Sequence, residues 1–154
     1  MADFAAAHGA RDPARLSAFP LVTVDYAVQL GDEHRYQLGV LIENSHGGQV
    51  QGLGVDMWFP SRLVAGAEGF TSGLGAKRVE GMECSGFRWR SGATLFVGDH
   101  VRICPTKDTK LGYRVNDDLY DWIDEKQPAA EFEVFVGTFP RLRALVPVRH
   151  LHQF

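Results

Sequence analysis

Cysteine is scarce in this sequence: the 154 residues include only Cys84 and Cys104. Two cysteines cannot form the disulfide network that stabilises small secreted domains, and they show no repeated spacing of the kind that zinc sites use. We expect two separate buried thiols in a reducing compartment. The sequence also contains no complete catalytic motif, so it predicts an architecture more directly than a reaction.

Long apolar runs and an excess of basic residues are absent as well. No segment approaches the roughly 20 apolar residues that span a bilayer, and residues 1–10 lack the basic start and apolar stretch of a secretory signal. The formal net charge is −3, whereas proteins that mainly bind nucleic acid usually have a basic surface. We therefore expect a cytoplasmic protein that binds neither membranes nor nucleic acid, and we assign it no cofactor.

Alternation of apolar and polar residues is the dominant pattern. A period of two predicts half-buried antiparallel strands, each with one apolar face. The apolar members of the three clearest runs are Val22, Val24, Tyr26, Val28 and Leu30; Tyr36, Leu38, Val40 and Ile42; and Leu53, Val55, Met57 and Phe59. Seven or eight such strands, separated by turns, predict a mainly β fold: an antiparallel two-sheet β-sandwich of immunoglobulin-like or jelly-roll type.

Some stretches are expected to differ from the strands. Residues 1–19 are rich in alanine and are interpreted as an N-terminal lead-in or linker, whereas residues 20–154 form a single β-sandwich domain. Residues 61–76 contain several glycines and little periodicity, which favours a surface loop. The segment 117–125 predicts one short helix, and residues 142–151 are expected to supply the last strand.

A resemblance to a known class of domains supports this architecture. Tyr36–Asn44, a glycine turn and the return strand Gly54–Pro60 resemble the paired strands of immunoglobulin-like accessory domains in bacterial multidomain proteins. Phe87–Trp89 and Leu95–Asp99 resemble the aromatic strand and the turn that often follow. The resemblance implies the fold only. Such domains usually bind or bridge other molecules, and the fold implies no reaction.

Charge is distributed unevenly along the second half of the chain. Residues 116–133 contain seven acidic residues and one lysine, whereas residues 138–154 contain three arginines and no acidic residue. Opposite patches can dock two copies of a domain or another protein, although they can equally pair within one fold. Aromatic residues among the acids add the anchors that interfaces favour. The partner-binding candidates are Asp117, Asp118, Tyr120, Asp121, Trp122, Arg141, Arg143 and Arg149.

A small-ligand site is a second hypothesis. Trp58 lies on the face of its predicted strand opposite Met57 and Phe59, where it is either in a second core layer or exposed. Lys77 and Arg78 follow the glycine-rich stretch, whose backbone amides could bind an anion, although the spacing of a phosphate-binding loop is missing. Trp58, Lys77 and Arg78 are therefore the ligand-binding candidates for a carbohydrate or a nucleotide.

Histidines provide a third hypothesis. His150 and His152 are two residues apart and would share one face of a strand, as histidines do in metal-binding jelly rolls, and His100 could complete the set. This arrangement would suit a cupin-like metal-dependent enzyme. The pair stands at the wrong end of the chain for that family, however, so a metal site remains the alternative and a solvated strand end the simpler interpretation.

The strand around residue 88 has two interpretations as well. Arg88 and Arg90 alternate with Phe87 and Trp89, a combination that can stack single-stranded bases. Because the chain is acidic overall, we interpret the arginines as outward residues on a strand whose aromatic residues fill the core.

Taken together, the patterns predict a non-enzymatic β-sandwich module that binds or positions a protein partner or self-associates. The alternatives are a cupin-like metal enzyme and a carbohydrate- or nucleotide-binding domain.

Overall fold

A computed structural model describes residues 18–44, 49–136 and 141–152. The predicted lead-in, apart from its last two residues, and the glycine turn at residues 45–48 lie outside this part of the chain. Ala18 and Phe19 already belong to the first strand, so the β region begins slightly earlier than predicted.

Ten strands form within these residues, together with one α-helix and one 3-10 helix. The strands are β1 Ala18–Leu30, β2 Glu33–Asn44, β3 Val50–Pro60, β4 Val64–Glu68, β5 Ser72–Val79, β6 Met82–Leu95, β7 His100–Cys104, β8 Lys110–Val115, β9 Ala129–Val136 and β10 Leu142–Pro147. The helix α1 is Asp117–Lys126, and the 3-10 helix is Val148–His152.

The strands form two five-stranded antiparallel sheets. Sheet 1 has the order β1-β2-β8-β4, and β7 pairs with the second half of β2. Sheet 2 has the order β10-β9-β3-β6-β5. One cluster of buried apolar residues joins the two sheets. The predicted mainly β, antiparallel two-sheet architecture is therefore confirmed.

The core is built from the inward positions of the alternating strands. Leu38, Val40 and Ile42 on β2 are fully buried, and every predicted inward residue of β3 is at most 2% exposed. Burial of each such side chain stabilises the fold by about 1.5–3 kcal/mol. The rings of Phe59 on β3 and Tyr113 on β8 lie 4.9 Å apart and connect the two sheets.

The glycine-rich stretch is not a loop, and this prediction was wrong. It contains β4 and most of β5, which raise the number of strands from the predicted seven or eight to ten. β4 pairs with β8, which is distant in sequence, and β5 pairs with β6, the next strand along the chain, so both have hydrogen-bonded neighbours in a sheet. Both strands are largely exposed, and for this reason they lack the apolar alternation that identifies a half-buried strand.

Two further expectations are corrected at the ends of the domain. Val28 and Leu30, predicted to share the apolar face of the first strand, are exposed. The pairing of β1 with β2 shifts register between Val24 and Tyr26, and such a shift interrupts the alternation of faces. The last strand ends at Pro147, and the chain continues as the 3-10 helix. This helix, and not a strand, contains His150 and His152.

The one predicted helix is present at the expected place. Asn116 caps it, since its side chain accepts a hydrogen bond of 2.9 Å from the amide of Leu119. Leu119 and Ile123 are buried against the core, and the helix ends at Gln127, which adopts a left-handed conformation. The acidic residues of α1 consequently face outward.

The cysteines are separate buried thiols, as expected. The Cys84 thiol donates to the carbonyl of Ala129, and the Cys104 thiol donates to the carbonyl of Leu38. Burial and the nearby charge of Glu131 raise the pKa of Cys84 to about 11, so this thiol is uncharged near neutral pH. Among the described residues, no helix is both long and apolar enough to cross a membrane.

Candidate functional site

The outer face of sheet 2 concentrates charged side chains. Because β3 alternates, its inward core residues leave Asp56 and Trp58 on the outer side. The strand register then places Asp56 opposite Arg88 on β6 and opposite Glu133 on β9. Residues far apart in sequence are therefore brought together on one exposed surface.

Asp56 is at the centre of this surface and is only 3% exposed. Arg88 donates two hydrogen bonds to its carboxylate, each 2.9 Å long, from Nε and Nη2. Arg90 and Arg141 approach the same carboxylate to 3.9 Å and 3.8 Å. Hydrogen bonding to Asp56 raises the pKa of Arg88, whereas burial and the charge of Arg88 lower that of Arg90.

Glu131 forms a second buried carboxylate on the same face. Lys77 donates a short hydrogen bond to its Oε2 atom, and Arg143 donates to Oε1 at 2.7 Å. Burial by itself would raise the pKa of Glu131, but the two cationic donors outweigh it and hold the pKa below its usual range. Glu131 is therefore a stably ionised group beneath two cations.

Two aromatic rings complete the surface, each lying over a glycine of the neighbouring strand. A Cβ atom at Gly86 would collide with the ring of Trp58, and one at Gly54 would collide with the ring of Phe135. Lys77 also lies over the Trp58 ring, with its Nζ 4.5 Å from the ring centre.

Arginines cover Phe135 in the same way: Arg90 lies 4.0 Å and Arg141 4.6 Å from its ring centre. We call the whole surface the basic face. It consists of Asp56, Trp58, Lys77, Arg88, Arg90, Glu131, Glu133, Phe135, Arg141 and Arg143.

The sequence-based candidates are only partly brought together. Trp58 and Lys77, proposed as ligand-binding residues, are in contact on the basic face, and Arg141 and Arg143, proposed as partner-binding residues, lie there too. Arg78 does not join them; its guanidinium donates to the carbonyl of Gly81 at the β5–β6 turn. The aromatics Phe87 and Trp89 pack against the core while Arg88 and Arg90 point outward, as predicted.

Several residues of the basic face escaped the sequence analysis, chiefly Asp56, Glu131 and Phe135. The alternation of β3, and that of Phe132 and Val134 on β9, does indicate that they face outward. What it could not indicate is that β3 lies between β9 and β6, which is the arrangement that assembles the surface.

The acidic helix is a separate surface. Asp117, Asp118 and Asp121 are exposed on α1. Arg149, which we grouped with the other two arginines, instead approaches Asp124 to 3.5 Å, so part of the predicted charge asymmetry is paired within the fold. Trp122 is half-buried, and the guanidinium of Arg62 lies 5.1 Å from its ring centre.

Tyrosine and histidine side chains converge where β2, β8, α1 and the 3-10 helix meet. We call this group the tyrosine–histidine cluster: His34, Tyr36, Tyr113, Tyr120 and His152. The hydroxyls of Tyr36 and Tyr120 share a short hydrogen bond, and the hydroxyl of Tyr113 is bonded to Nε2 of His152 at 2.9 Å. The Tyr36 ring lies 4.8 Å from that of His152 and 5.2 Å from that of Tyr113.

Three members of the cluster, Tyr36, Tyr113 and His152, are uncharged near neutral pH. Burial raises the pKa of Tyr36, with a further contribution from its hydrogen bond to Tyr120, and burial also raises the pKa of Tyr113. Burial lowers the pKa of His152, which favours the neutral imidazole. Hydroxyl and imidazole groups therefore interact here as neutral hydrogen-bonding partners.

Each of the two regions contains an unsatisfied polar atom. Among the described residues, the buried side-chain nitrogens without a hydrogen-bond partner are Nε1 of Trp58, on the basic face, and Nδ1 of His34, in the tyrosine–histidine cluster. Such atoms cost stability, and native proteins retain few of them. Each region therefore contains a buried atom that lowers the stability of the fold, and packing by itself does not explain why it is there.

The histidines proposed as metal ligands are not brought together. His152 contacts Tyr36, near the start of β2, whereas His100 lies 3.7 Å from Glu43, at the end of the same strand. Seven residues of strand separate these points by roughly 23 Å. His150 is exposed on the 3-10 helix. Within residues 18–44, 49–136 and 141–152, no group of three or more metal-binding side chains converges.

Comparison of the chain with known protein families and with curated proteins finds no match.

Proposed function

We propose that the protein is a non-enzymatic β-sandwich module that binds an acidic surface of a protein partner through the basic face. The observation that carries this proposal is the depth at which the charged groups of the basic face lie below its surface. Carboxylates form the lower layer of the face, and cationic side chains form the layer that meets solvent.

Exposure of the side chains supports that arrangement. The carboxylates of Asp56 and Glu131 are 4% and 2% exposed, whereas the side chains of Arg141 and Arg143 are 52% and 56% exposed. The face has five cationic and three acidic side chains, so it carries a net charge of two positive units within a chain of net charge −3. A partner with an acidic surface would meet the cations first.

The aromatic residues supply the rest of an interface. Trp58 and Phe135 rest on glycines and are covered by cations, which restricts their motion before any partner arrives. Tryptophan and arginine are the residues that most often dominate binding energy at protein interfaces, and fixed side chains lose little entropy on binding. The basic face thus combines a rigid aromatic centre with long cationic side chains that remain partly exposed to solvent.

Helix α1 offers a surface of the complementary kind. It has five acidic residues and one lysine over ten positions, with Tyr120 and Trp122 among them. A second copy of the chain could therefore dock its α1 against the basic face. This contact would join two different surfaces, so self-association would produce a ring or an open chain of subunits. We infer that the module is an immunoglobulin-like accessory domain of a bacterial cytoplasmic protein, with either another protein or its own copy as partner.

A labelled peptide with the sequence of α1 is the direct probe. We expect it to bind the protein, with an affinity that falls as salt is added, because the contact relies on exposed charges. A control peptide with asparagine and glutamine in place of the acids should bind at least roughly tenfold more weakly. Fluorescence anisotropy measures both affinities, and light scattering over a range of protein concentrations measures self-association.

Matched variants test where the peptide binds. Arg141→Gln combined with Arg143→Gln should abolish most of the binding. Arg35→Gln combined with Arg114→Gln is the control, since these two arginines are register neighbours on sheet 1 and also exposed. Equal binding by both double variants, or equal affinity for the acidic and the neutral peptide, would contradict the proposal.

A further inference from the structure

A cavity of about 350 Å³ lies between α1 and the 3-10 helix, beside the tyrosine–histidine cluster. Its size is at the lower end of the range that small-molecule sites occupy. The lining residues are Tyr120, Asp121, Ile123, Asp124, Arg149 and His152. None of them belongs to the basic face, although Tyr120, Asp121 and Asp124 lie on α1, the helix that a second copy would dock against that face.

Two rings form a rigid corner of the cavity. The planes of Tyr120 and His152 are perpendicular, with centres 5.7 Å apart. A hydrogen bond fixes each ring. The Tyr120 hydroxyl is bonded to the hydroxyl of Tyr36, and Nε2 of His152 is bonded to the hydroxyl of Tyr113. A ligand that enters this corner therefore meets side chains whose orientation is already set, which reduces the entropy lost on binding.

The charges of the lining do not balance. Arg149 lies 3.5 Å from Asp124 and offsets that carboxylate. Asp121 forms no ion pair with any residue in the part of the chain that the structure describes. The imidazole of His152 is held neutral by burial. The cavity consequently has one uncompensated negative charge next to an aromatic corner.

We propose that this cavity binds a small organic cation, a primary or quaternary ammonium compound. Asp121 supplies the counter-charge, and the ring of Tyr120 supplies an aromatic face that attracts ammonium groups, with the ring of His152 perpendicular to it. Ile123, buried at the base of α1, contacts the aliphatic part of the ligand. An anion would meet the unpaired carboxylate and is disfavoured.

Choline and ethanolamine are the probes, and the neutral carbon analogue of choline, with a tert-butyl group in place of trimethylammonium, is the matched control. We expect choline or ethanolamine to shift the imidazole resonances of His152 saturably in NMR titrations. Those of His100, which lies at the other end of β2, should not move. The neutral analogue should produce no saturable shift, because it matches choline in shape but carries no charge.

Variants separate this site from general attraction to an acidic helix. Asp121→Asn should lower the affinity for the bound cation roughly tenfold. Asp118→Asn removes the same charge from an exposed position of α1 outside the cavity and should leave the affinity unchanged. Both positions are exposed, so both variants should fold, which far-UV circular dichroism verifies.

Three outcomes would overturn the proposal. One is the absence of any saturable shift of His152 with either ammonium compound. Another is saturable binding of choline and its neutral analogue with the same affinity, which would show that the cavity selects shape without charge. The third is an equal loss of affinity in the two aspartate variants, which would place the cation on the helix surface instead of in the cavity.

Discussion

The basic face and the tyrosine–histidine cluster are both polar regions on a sandwich with an apolar core, but they satisfy their polar groups in opposite ways. On the basic face, buried carboxylates are neutralised by cations that remain partly in water. In the cluster, the hydroxyls of Tyr36 and Tyr120 are bonded to each other, and the hydroxyl of Tyr113 is bonded to the neutral imidazole of His152. The comparison shows that the fold can hold polar groups either by ion pairing at a surface or by neutral hydrogen bonds near the core.

The ion pairs of the basic face and the hydrogen bonds of the cluster respond to different conditions of salt and pH. Ion pairs of partly exposed side chains weaken as salt increases, and the carboxylates lose their charge in acid. Neutral hydrogen bonds are insensitive to salt, but a buried histidine resists protonation as the pH falls below its ordinary pKa. Mutations and pH therefore provide ways to distinguish the two regions.

The largest expected effect is in the cluster, at Tyr113. Tyr113→Ala removes a fully buried ring that contacts Phe59 across the sheets, and we expect a loss of about 3–5 kcal/mol in the free energy of unfolding. Tyr113→Phe keeps the ring and removes only the bond to His152, so the loss should be about 1 kcal/mol. Urea unfolding measures both. Similar losses in the two variants would mean that the hydroxyl, and not packing, is what matters there.

On the basic face, the corresponding change is Asp56→Asn. It keeps the shape but leaves Arg88, Arg90 and Arg141 without their shared counter-charge, and we expect a loss of about 1–3 kcal/mol. The loss should be greater at low than at high ionic strength, because salt screens the repulsion among the arginines. Tyr113→Phe is the matched control and should show no such dependence. A salt-independent Asp56→Asn effect would argue against the ion-pair account.

Acid should act through Glu131. Its pKa is below the ordinary value of 4.5 in the folded protein, so between those two values the unfolded chain binds more protons than the folded one. The stability that Glu131 contributes is complete above pH 4.5 and is lost as the pH falls through the folded-state pKa. Glu131→Gln should therefore be less stable than the wild type near neutral pH and converge with it in acid. Parallel curves of unfolding free energy against pH would contradict this assignment.

Mild acidification should produce the smallest effect, in the cluster. The pKa of His152 lies below the ordinary value of 6.5 in the folded state, so the unfolded chain takes up the proton first. Stability should be greatest above pH 6.5 and decrease as the pH falls below that value. Denaturation at about pH 7.5 and about pH 5.5 tests this in the wild type and in His152→Gln, which should lose this part of the pH dependence. An unchanged dependence in the variant would assign it to another group.

The strands with one buried face were predictable because alternation is a local property. The inward residues of β2 and β3 and the helix with Leu119 and Ile123 could be identified from neighbours a few positions away. β4 and β5 could not, because they are exposed and rich in glycine, and their backbones are organised by pairing with β8 and β6. The end of the last strand at Pro147 was missed for a similar reason, since the chain leaves the sheet to pack its 3-10 helix against the cluster.

For the candidate sites, the sequence by itself determined which residues face outward and that two short stretches differ in charge. Only the tertiary structure decided which of those residues meet. The basic face combines residues of five strands with Arg141, which directly precedes β10, and the cluster combines His34 with His152. The physical reason is that hydrogen-bonded pairing between strands is set by the packing of the whole core, whereas the alternation within one strand follows from the geometry of its own backbone.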